Sequence, residues 1–284
     1  MFTLKYFELL SIISATILFG ILDSFWRPLI LKYGHIKVLL HRTILTVIIF
    51  TILKAYFKAQ FVWDLYMISI TIISGIIATL GLFCLTKAFQ LNNTSTIVFL
   101  NIFTLIFGQF FSFLFFREIF DIYFYSIEIF LSIISLLLLN QGSFSLDKGI
   151  KFGLLASFCF GLAYPMMGIP IKVLGSFNSS FIQEIVVLLG VFLLSLNNAK
   201  RIKLDSSLFR NHLLILLSLF TVIALLLHFY SYEFYPVHKI NLISNFYPVV
   251  AMMSAVLFYK EKLKFIQFLG ALLAMISTVF IISN

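Results

Sequence analysis

The stretch that decides the fold is Leu65–Phe89, which reads LYMISITIISGIIATLGLFCLTKAF. It contains a single formally charged residue, Lys87. The hydrocarbon core of a bilayer is about 30 Å thick, and a helix that rises ~1.5 Å per residue needs ~20 apolar residues to cross it. Backbone polar groups find no water in lipid, so a spanning segment of this kind must bond within itself as a helix. We interpret this stretch as a transmembrane helix.

Similar stretches recur along the whole chain of 284 residues, of which 62% are hydrophobic and 11% are charged. A soluble domain averages about half apolar and about a quarter charged residues. The composition therefore predicts an all-α, polytopic membrane protein with ten spans, five in each half. The first five are Tyr6–Phe25, Val38–Phe57, Leu65–Phe89, Thr94–Phe116 and Ile122–Asn140. The second five are Ile150–Gly168, Ser179–Leu196, Leu208–Tyr230, Lys239–Tyr259 and Leu263–Ser283.

The first apolar stretch, Leu4–Leu22, could also be a signal peptide because it follows Lys5. It runs for about 18 residues and has no small-x-small pattern before Asp23, so we expect an uncleaved first span.

The net charge of +9 does not point to nucleic acid, because Lys and Arg mostly lie in short stretches between apolar runs. Basic residues in such places anchor helix ends at lipid head groups, so we expect membrane lipid as the partner of these charges. The two cysteines, Cys84 and Cys159, lie inside apolar runs without neighbouring ligands at metal-binding spacing. We expect no metal and no cofactor.

The two halves match at a nearly constant spacing. Phe19-Gly20 matches Phe160-Gly161 at 141 positions, and Gly34 and Gly175 keep the same distance. Individual matches in apolar sequence are common, but a constant offset over several spans is harder to obtain by chance. The spacing therefore indicates an internal repeat.

The end of the fourth span in each half shows the same relation. Phe116-Arg117-Glu118 and Tyr259-Lys260-Glu261 are 143 positions apart. Because each half holds an odd number of spans, the second half must cross the membrane in the opposite sense. We expect two inverted five-helix repeats, at residues 1–141 and 146–284, with a site near the midplane where they meet.

With these features the chain resembles the drug/metabolite transporter superfamily, in its ten-span EamA-like form. The resemblance rests on the five-plus-five layout, on Gly20 and Gly161, and on the acidic residue that ends each fourth span. Asn245-Phe246-Tyr247-Pro248 resembles the family's proline-then-glutamate pattern, whereas the first half has Leu105 at the equivalent position. Arg42 resembles a basic residue often found in the second span. The resemblance implies a central cavity lined by the first, third, sixth and eighth spans.

Polar and aromatic side chains within the spans are the candidate substrate ligands, because an ionisable group in lipid costs roughly 2.5–3.5 kcal/mol and needs a reason. Asp23 could bind a substrate amine or a proton, or be a solvated carboxylate at a helix end. Tyr164, before Pro165, marks either a broken span or a simple kink. His228 could couple protons or be a packing residue. The predicted substrate-binding residues are Asp23, Trp26, Lys87, Tyr164, His228 and Tyr232.

Two further residues are candidates for coupling. Arg42 and Glu184 occupy nearly symmetric places in the two halves. Arg42 could pair with an acidic group, attract an anion or reach the head groups. Glu184 could be a proton site or a solvated helix-end carboxylate. Asn101 and Asn241 are expected to make hydrogen bonds between helices.

These observations predict a secondary transporter in the cytoplasmic membrane, acting as an exporter or exchanger, as a monomer or homodimer. Its solute would be an amino acid, a related polar metabolite or a drug-like compound. The sequence holds no phosphate-binding loop and no nucleophile triad, so we expect no enzyme. The alternative is an intramembrane enzyme acting on lipid-linked substrates, which would usually cluster carboxylates or histidines at one membrane face. A third reading, an accessory subunit without cargo, predicts a cavity filled by Phe and Leu.

Overall fold

A computed structural model gives the fold. It describes residues 2–116, 147–196, 204–244 and 246–260, together with isolated positions elsewhere. The predicted spans Ile122–Asn140 and Leu263–Ser283 lie outside these continuous ranges, as do Glu118 and Glu261. All the secondary structure in the described ranges is helical.

Ten helices follow one another in the described ranges. The first five are α1 (Phe2–Tyr33), α2 (His35–Phe57), α3 (Leu65–Leu91), α4 (Thr94–Leu100) and α5 (Ile102–Phe116). The next five are α6 (Lys148–Leu196), α7 (Ser206–Phe209), α8 (His212–Phe234), α9 (Val237–Ser244) and α10 (Tyr247–Tyr259). Six described segments are long and apolar enough to cross a membrane, which makes this a multi-pass membrane protein.

The longest helix, α6, covers two of the predicted spans. Its 49 residues would extend about 74 Å at ~1.5 Å per residue, more than twice the thickness of a bilayer core. The helix is interrupted at Gly175, whose φ of 79° is accessible to glycine but strained for other residues. Gly34 has a φ of 86° between α1 and α2, so the two glycines matched in the sequence occupy equivalent corners.

Of the two alternatives at Tyr164 and Pro165, the structure does not support the broken span. The backbone stays helical through both residues and through Pro170. The fixed φ of proline, about −65°, is a helical value, so helical dihedrals can persist although the ring removes one donor and crowds the carbonyl four residues earlier. The interruption of α6 comes later, at Gly175, where φ is positive.

Two predicted spans that the structure describes, the fourth and the ninth, are each interrupted. The fourth is divided at Asn101 into α4 and α5, and the ninth is divided between Ser244 and Tyr247 into α9 and α10. Pro248 lacks an N–H and stands at the beginning of α10, so it cannot continue the preceding helix. In the fourth span, the carbonyl of Leu100 accepts a hydrogen bond at 2.8 Å from Ser157 Oγ of α6. Asn101 and Ser244 are 143 positions apart, the spacing seen in the sequence.

Close contacts at Gly20 and Gly161 hold α1 on α10 and α6 on α5. A Cβ atom on Gly20 would lie 2.8 Å from Val250 Cβ, and one on Gly161 would lie 2.5 Å from Phe107 Cβ. Small residues let membrane helices approach in this way. Val250 and Phe107 are themselves 143 positions apart, so each matched glycine packs on a matched partner in the other half.

Asp205, the residue before α7, makes hydrogen bonds to residues near the beginning of α2. Asp205 accepts a hydrogen bond at 2.7 Å from Lys37 Nζ, and its backbone N–H donates to His41 Nε2 at 2.9 Å. The Lys37 hydrogen bond, followed by those from Ser207, holds the pKa of the partly exposed Asp205 carboxyl well below its usual range. Asp205 therefore stays ionised and links the two halves outside the helices that span the membrane.

Substitution of Gly161 by alanine is expected to destabilise the protein by about 1–3 kcal/mol, the usual cost of overpacking. The added Cβ would meet the backbone oxygen of Thr104 at 2.8 Å as well as Phe107, and backbone cannot swing aside. Gly153→Ala is the control, because its Cβ would meet only the flexible end of Leu100, at 2.5 Å. Thermal unfolding in detergent should show a clearly lower Tm for Gly161→Ala. Equal Tm values for the two variants would contradict the packing described.

Candidate functional site

A cavity of about 140 Å³ lies where the helices of the two halves meet. Its wall takes side chains from α1, α2, α3, α5, α6, α8, α9 and α10. An engineered apolar cavity of about 150 Å³ is large enough for benzene, so this space accepts a small solute but not a lipid. The presence of the cavity argues against the reading in which Phe and Leu fill the centre.

Asp23 forms the most unusual part of this wall. It is 5% exposed, and its Oδ2 accepts hydrogen bonds from Asn101 Nδ2 at 3.2 Å and from the hydroxyl of Tyr247. Asn101 Nδ2 also lies 2.8 Å from the Tyr247 oxygen. No cation forms an ion pair with Asp23 among the described residues. The alternative of a solvated carboxylate at a helix end therefore does not fit.

Both helix breaks converge on this carboxylate. Asn101 is the residue between α4 and α5, and Tyr247 is the first residue of α10. The beginnings of helices carry partial positive charge and unpaired N–H groups, which favour a nearby anion. Asp23 thus joins α1 to the two interrupted spans by hydrogen bonds to Asn101 and Tyr247.

A buried ion pair also lines the cavity. Arg42 Nη1 donates to the two carboxylate oxygens of Glu184 at 2.8 and 3.2 Å, and Thr46 Oγ1 donates to Glu184 at 2.8 Å. The side chains of Arg42 and Glu184 are 3% and 4% exposed. Neither reaches the head groups or solvent, so the pairing alternative is the one that the structure supports. The pair joins α2 of the first half to α6 of the second.

Aromatic rings surround His228, which is 7% exposed. Its ring centroid lies 5.8 Å from Phe19, 5.5 Å from Tyr164 and 5.1 Å from Tyr232, each in an edge-to-face arrangement. Its Nε2 atom has no hydrogen-bond partner. His228 therefore presents an unsatisfied polar atom within an apolar part of the wall.

Most of the residues singled out in the sequence meet at this cavity. Those that line it are Asp23, Trp26, Arg42, Tyr164, Glu184 and His228. Trp26 is only 4% exposed, which does not suit an anchor in the lipid head groups. Lys87 is outside the lining and donates to Gln90 Oε1 at 2.9 Å, and Tyr232 packs behind His228. The binding role of each residue stays a prediction.

Tyr247 and Thr104 belong to the site but were not predicted from the sequence. Tyr247 is part of the Asn245-Phe246-Tyr247-Pro248 motif, which resembles the proline-then-glutamate pattern and does not by itself indicate a role for the hydroxyl. The expected hydrogen bond between helices is present at Asn101. Asn241 lines the cavity instead, and its Nδ2 has no partner.

Glu184→Leu is expected to destabilise the protein by about 3–5 kcal/mol, because it leaves Arg42 buried without its counter-charge. The double variant Arg42→Met with Glu184→Leu removes both charges and should recover most of that loss. Unfolding of the single and double variants in detergent measures the difference. A double variant as unstable as Glu184→Leu alone would show that the uncompensated charge is not the cause.

Comparisons with known proteins relate the chain to a family of transporters and to a solved fold. The family described as "EamA-like transporter family" matches residues 147–283. One solved crystal structure superposes with a TM-score of 0.63 at 12% sequence identity, covering 95% of this chain and 97% of its own. At that identity the superposition shows a shared fold only. No curated protein matches the chain in sequence.

Proposed function

We propose that this chain, whose residues 147–283 match the EamA-like transporter family, is a secondary transporter that carries a small amine-bearing solute across the cytoplasmic membrane. A match to that family implies a membrane transporter of small solutes. The family consists of transporters rather than enzymes, which agrees with the expectation that this chain is no enzyme. The observation that carries the proposal is Asp23, a carboxylate in the wall of a small cavity without a cationic partner in the described part of the chain.

Charge in the wall supports a cationic solute. Asp23, Arg42 and Glu184 are the Asp, Glu, Lys and Arg residues of the described lining, and Arg42 and Glu184 neutralise each other. An ionised Asp23 leaves one net negative charge in a medium of low dielectric constant. Such a charge is stabilised by a proton or by a cation, so an amine and a proton would compete for it. This competition is the basis for exchange of solute against protons.

The matched contacts of the two halves support inverted repeats. Gly20 on Val250 and Gly161 on Phe107 are equivalent pairs, and the interrupted spans divide at equivalent places. In transporters built from inverted repeats, one unit rocks against the other around a site near the midplane. Export or exchange by such rocking is part of the proposal.

The alternative of an intramembrane enzyme acting on lipid-linked substrates has no support in the comparisons. Within the described ranges there is no group of three His, Cys, Asp or Glu side chains able to hold a metal ion. The polar residues discussed above line a cavity between helices of the two halves.

Reconstitution into liposomes tests the proposal. Labelled amines, amino acid amides and amino acids would be offered under an imposed pH gradient. Wild-type protein should accumulate an amine, and Asp23→Asn should lose at least about tenfold of the gradient-driven flux, because it removes the charge for which proton and amine compete. Asp64→Asn is the matched control, since Asp64 caps α3 outside the cavity and asparagine caps equally well.

Two outcomes would contradict the proposal. One is that no solute moves under any imposed gradient. The other is that Asp23→Asn transports as well as the wild-type protein.

A further inference from the structure

The helix break at Asn101 leaves the hydroxyl of Thr104 without a partner. A threonine in a helix usually donates to the carbonyl four residues earlier, as Thr16 does to Ile12 at 2.8 Å. For Thr104 that carbonyl belongs to Leu100, which lies across the break and accepts from Ser157 instead. Thr104 Oγ1 is buried at the cavity wall without a hydrogen bond.

A second unsatisfied group lies on the other interrupted span. The amide of Asn241, in α9, is 6% exposed and rests on Gly108 of α5, where a Cβ atom would lie 3.0 Å from its Nδ2. That Nδ2 has no partner, and neither has Nε2 of His228 in α8. A buried polar atom without a hydrogen bond carries the cost of its lost hydration. Nε of Arg42 is a fourth such atom in the described lining, and unsatisfied atoms around one cavity point to a ligand that supplies their partners.

We propose that Thr104, Asn241 and His228 form a subsite for an uncharged oxygen of the solute, so that the solute is a cationic amine that also bears a carbonyl, amide or hydroxyl group. The inference rests on the proposed function, because it takes this cavity to be the place where the solute binds. Asp23 receives the amine, and the hydroxyl and amide donors of the subsite receive the oxygen.

The charge of the wall favours an uncharged oxygen over a carboxylate. Arg42 is the one Lys or Arg side chain in the described lining, and Glu184 neutralises its charge, although its Nε–H has no partner. A carboxylate in the subsite would be a third negative charge beside Asp23 and Glu184, against only two positive charges, those of Arg42 and of the solute's amine. The subsite would therefore select amides or ketones over amino acids.

Three probes with five heavy atoms each test this selection. Glycinamide, isobutylamine and glycine share an aminomethyl group and differ in carrying an amide, two methyl groups or a carboxylate. Their dissociation constants would be obtained at pH 6.5, where all three amines are cationic, from the stabilisation of the full chain in detergent against probe concentration. The variants are Thr104→Val and Asn241→Leu. The control is Thr79→Val, since Thr79 is buried outside the lining and donates to Gly75 within its own helix at 2.8 Å.

The ratio of the isobutylamine to the glycinamide dissociation constant should fall about fivefold in Thr104→Val and in Asn241→Leu, the change expected for one lost hydrogen bond. The ratio should stay at the wild-type value in Thr79→Val, and glycine should bind more weakly than glycinamide. An unchanged ratio in both subsite variants, tighter binding of glycine, or no stabilisation by glycinamide would overturn the inference. Because binding is measured without a gradient, failure of transport in liposomes would be a separate result.

Discussion

The structure depends on holding one carboxylate, Asp23, inside a membrane protein without an opposing cation in the described residues. In lipid such a group must be satisfied by hydrogen bonds, by dipoles or by a bound cation or proton. The chain brings Asn101 and Tyr247 to it, one from each interrupted span. The breaks in the fourth and ninth spans are therefore part of the site, since an unbroken helix would place neither residue at the end of a helix.

The remaining architecture keeps these breaks in place. Gly20 lets α1 pack directly on α10, and Gly161 lets α6 pack directly on α5. These contacts hold the two interrupted spans against neighbouring helices of the cavity wall. The buried pair of Arg42 and Glu184 joins α2 of the first half to α6 of the second. Both kinds of contact link the first half to the second. Relative motion of the halves must consequently change the shape of the cavity.

Periodicity and composition predict the helices well, because the bilayer imposes their length and apolarity, and Leu65–Phe89 differs from α3 by only two residues. The constant spacing also pairs Gly34 with Gly175 on sequence alone, and both glycines lie at corners with positive φ. The break at Asn101 could not be predicted, because it depends on Ser157 of a distant helix taking the carbonyl of Leu100. The sequence left a broken span and a kink as alternatives at Pro165, and the backbone stays helical there because the φ of proline is a helical value.

Accessibility of the cavity to water from each side of the membrane is the most direct measure of whether these helices form a transport pathway. Thr221→Cys would place a thiol in the lining, in a protein whose Cys84 and Cys159 are replaced by serine, and Leu193→Cys would place one on the exposed face of α6. Charged thiosulfonates that do not cross membranes would be added to sealed vesicles of each orientation. Labelling of Thr221→Cys in both orientations, with much slower labelling of Leu193→Cys, is the expected result. Labelling of Thr221→Cys from one side only, or from neither, would contradict a cavity that opens alternately to the two sides.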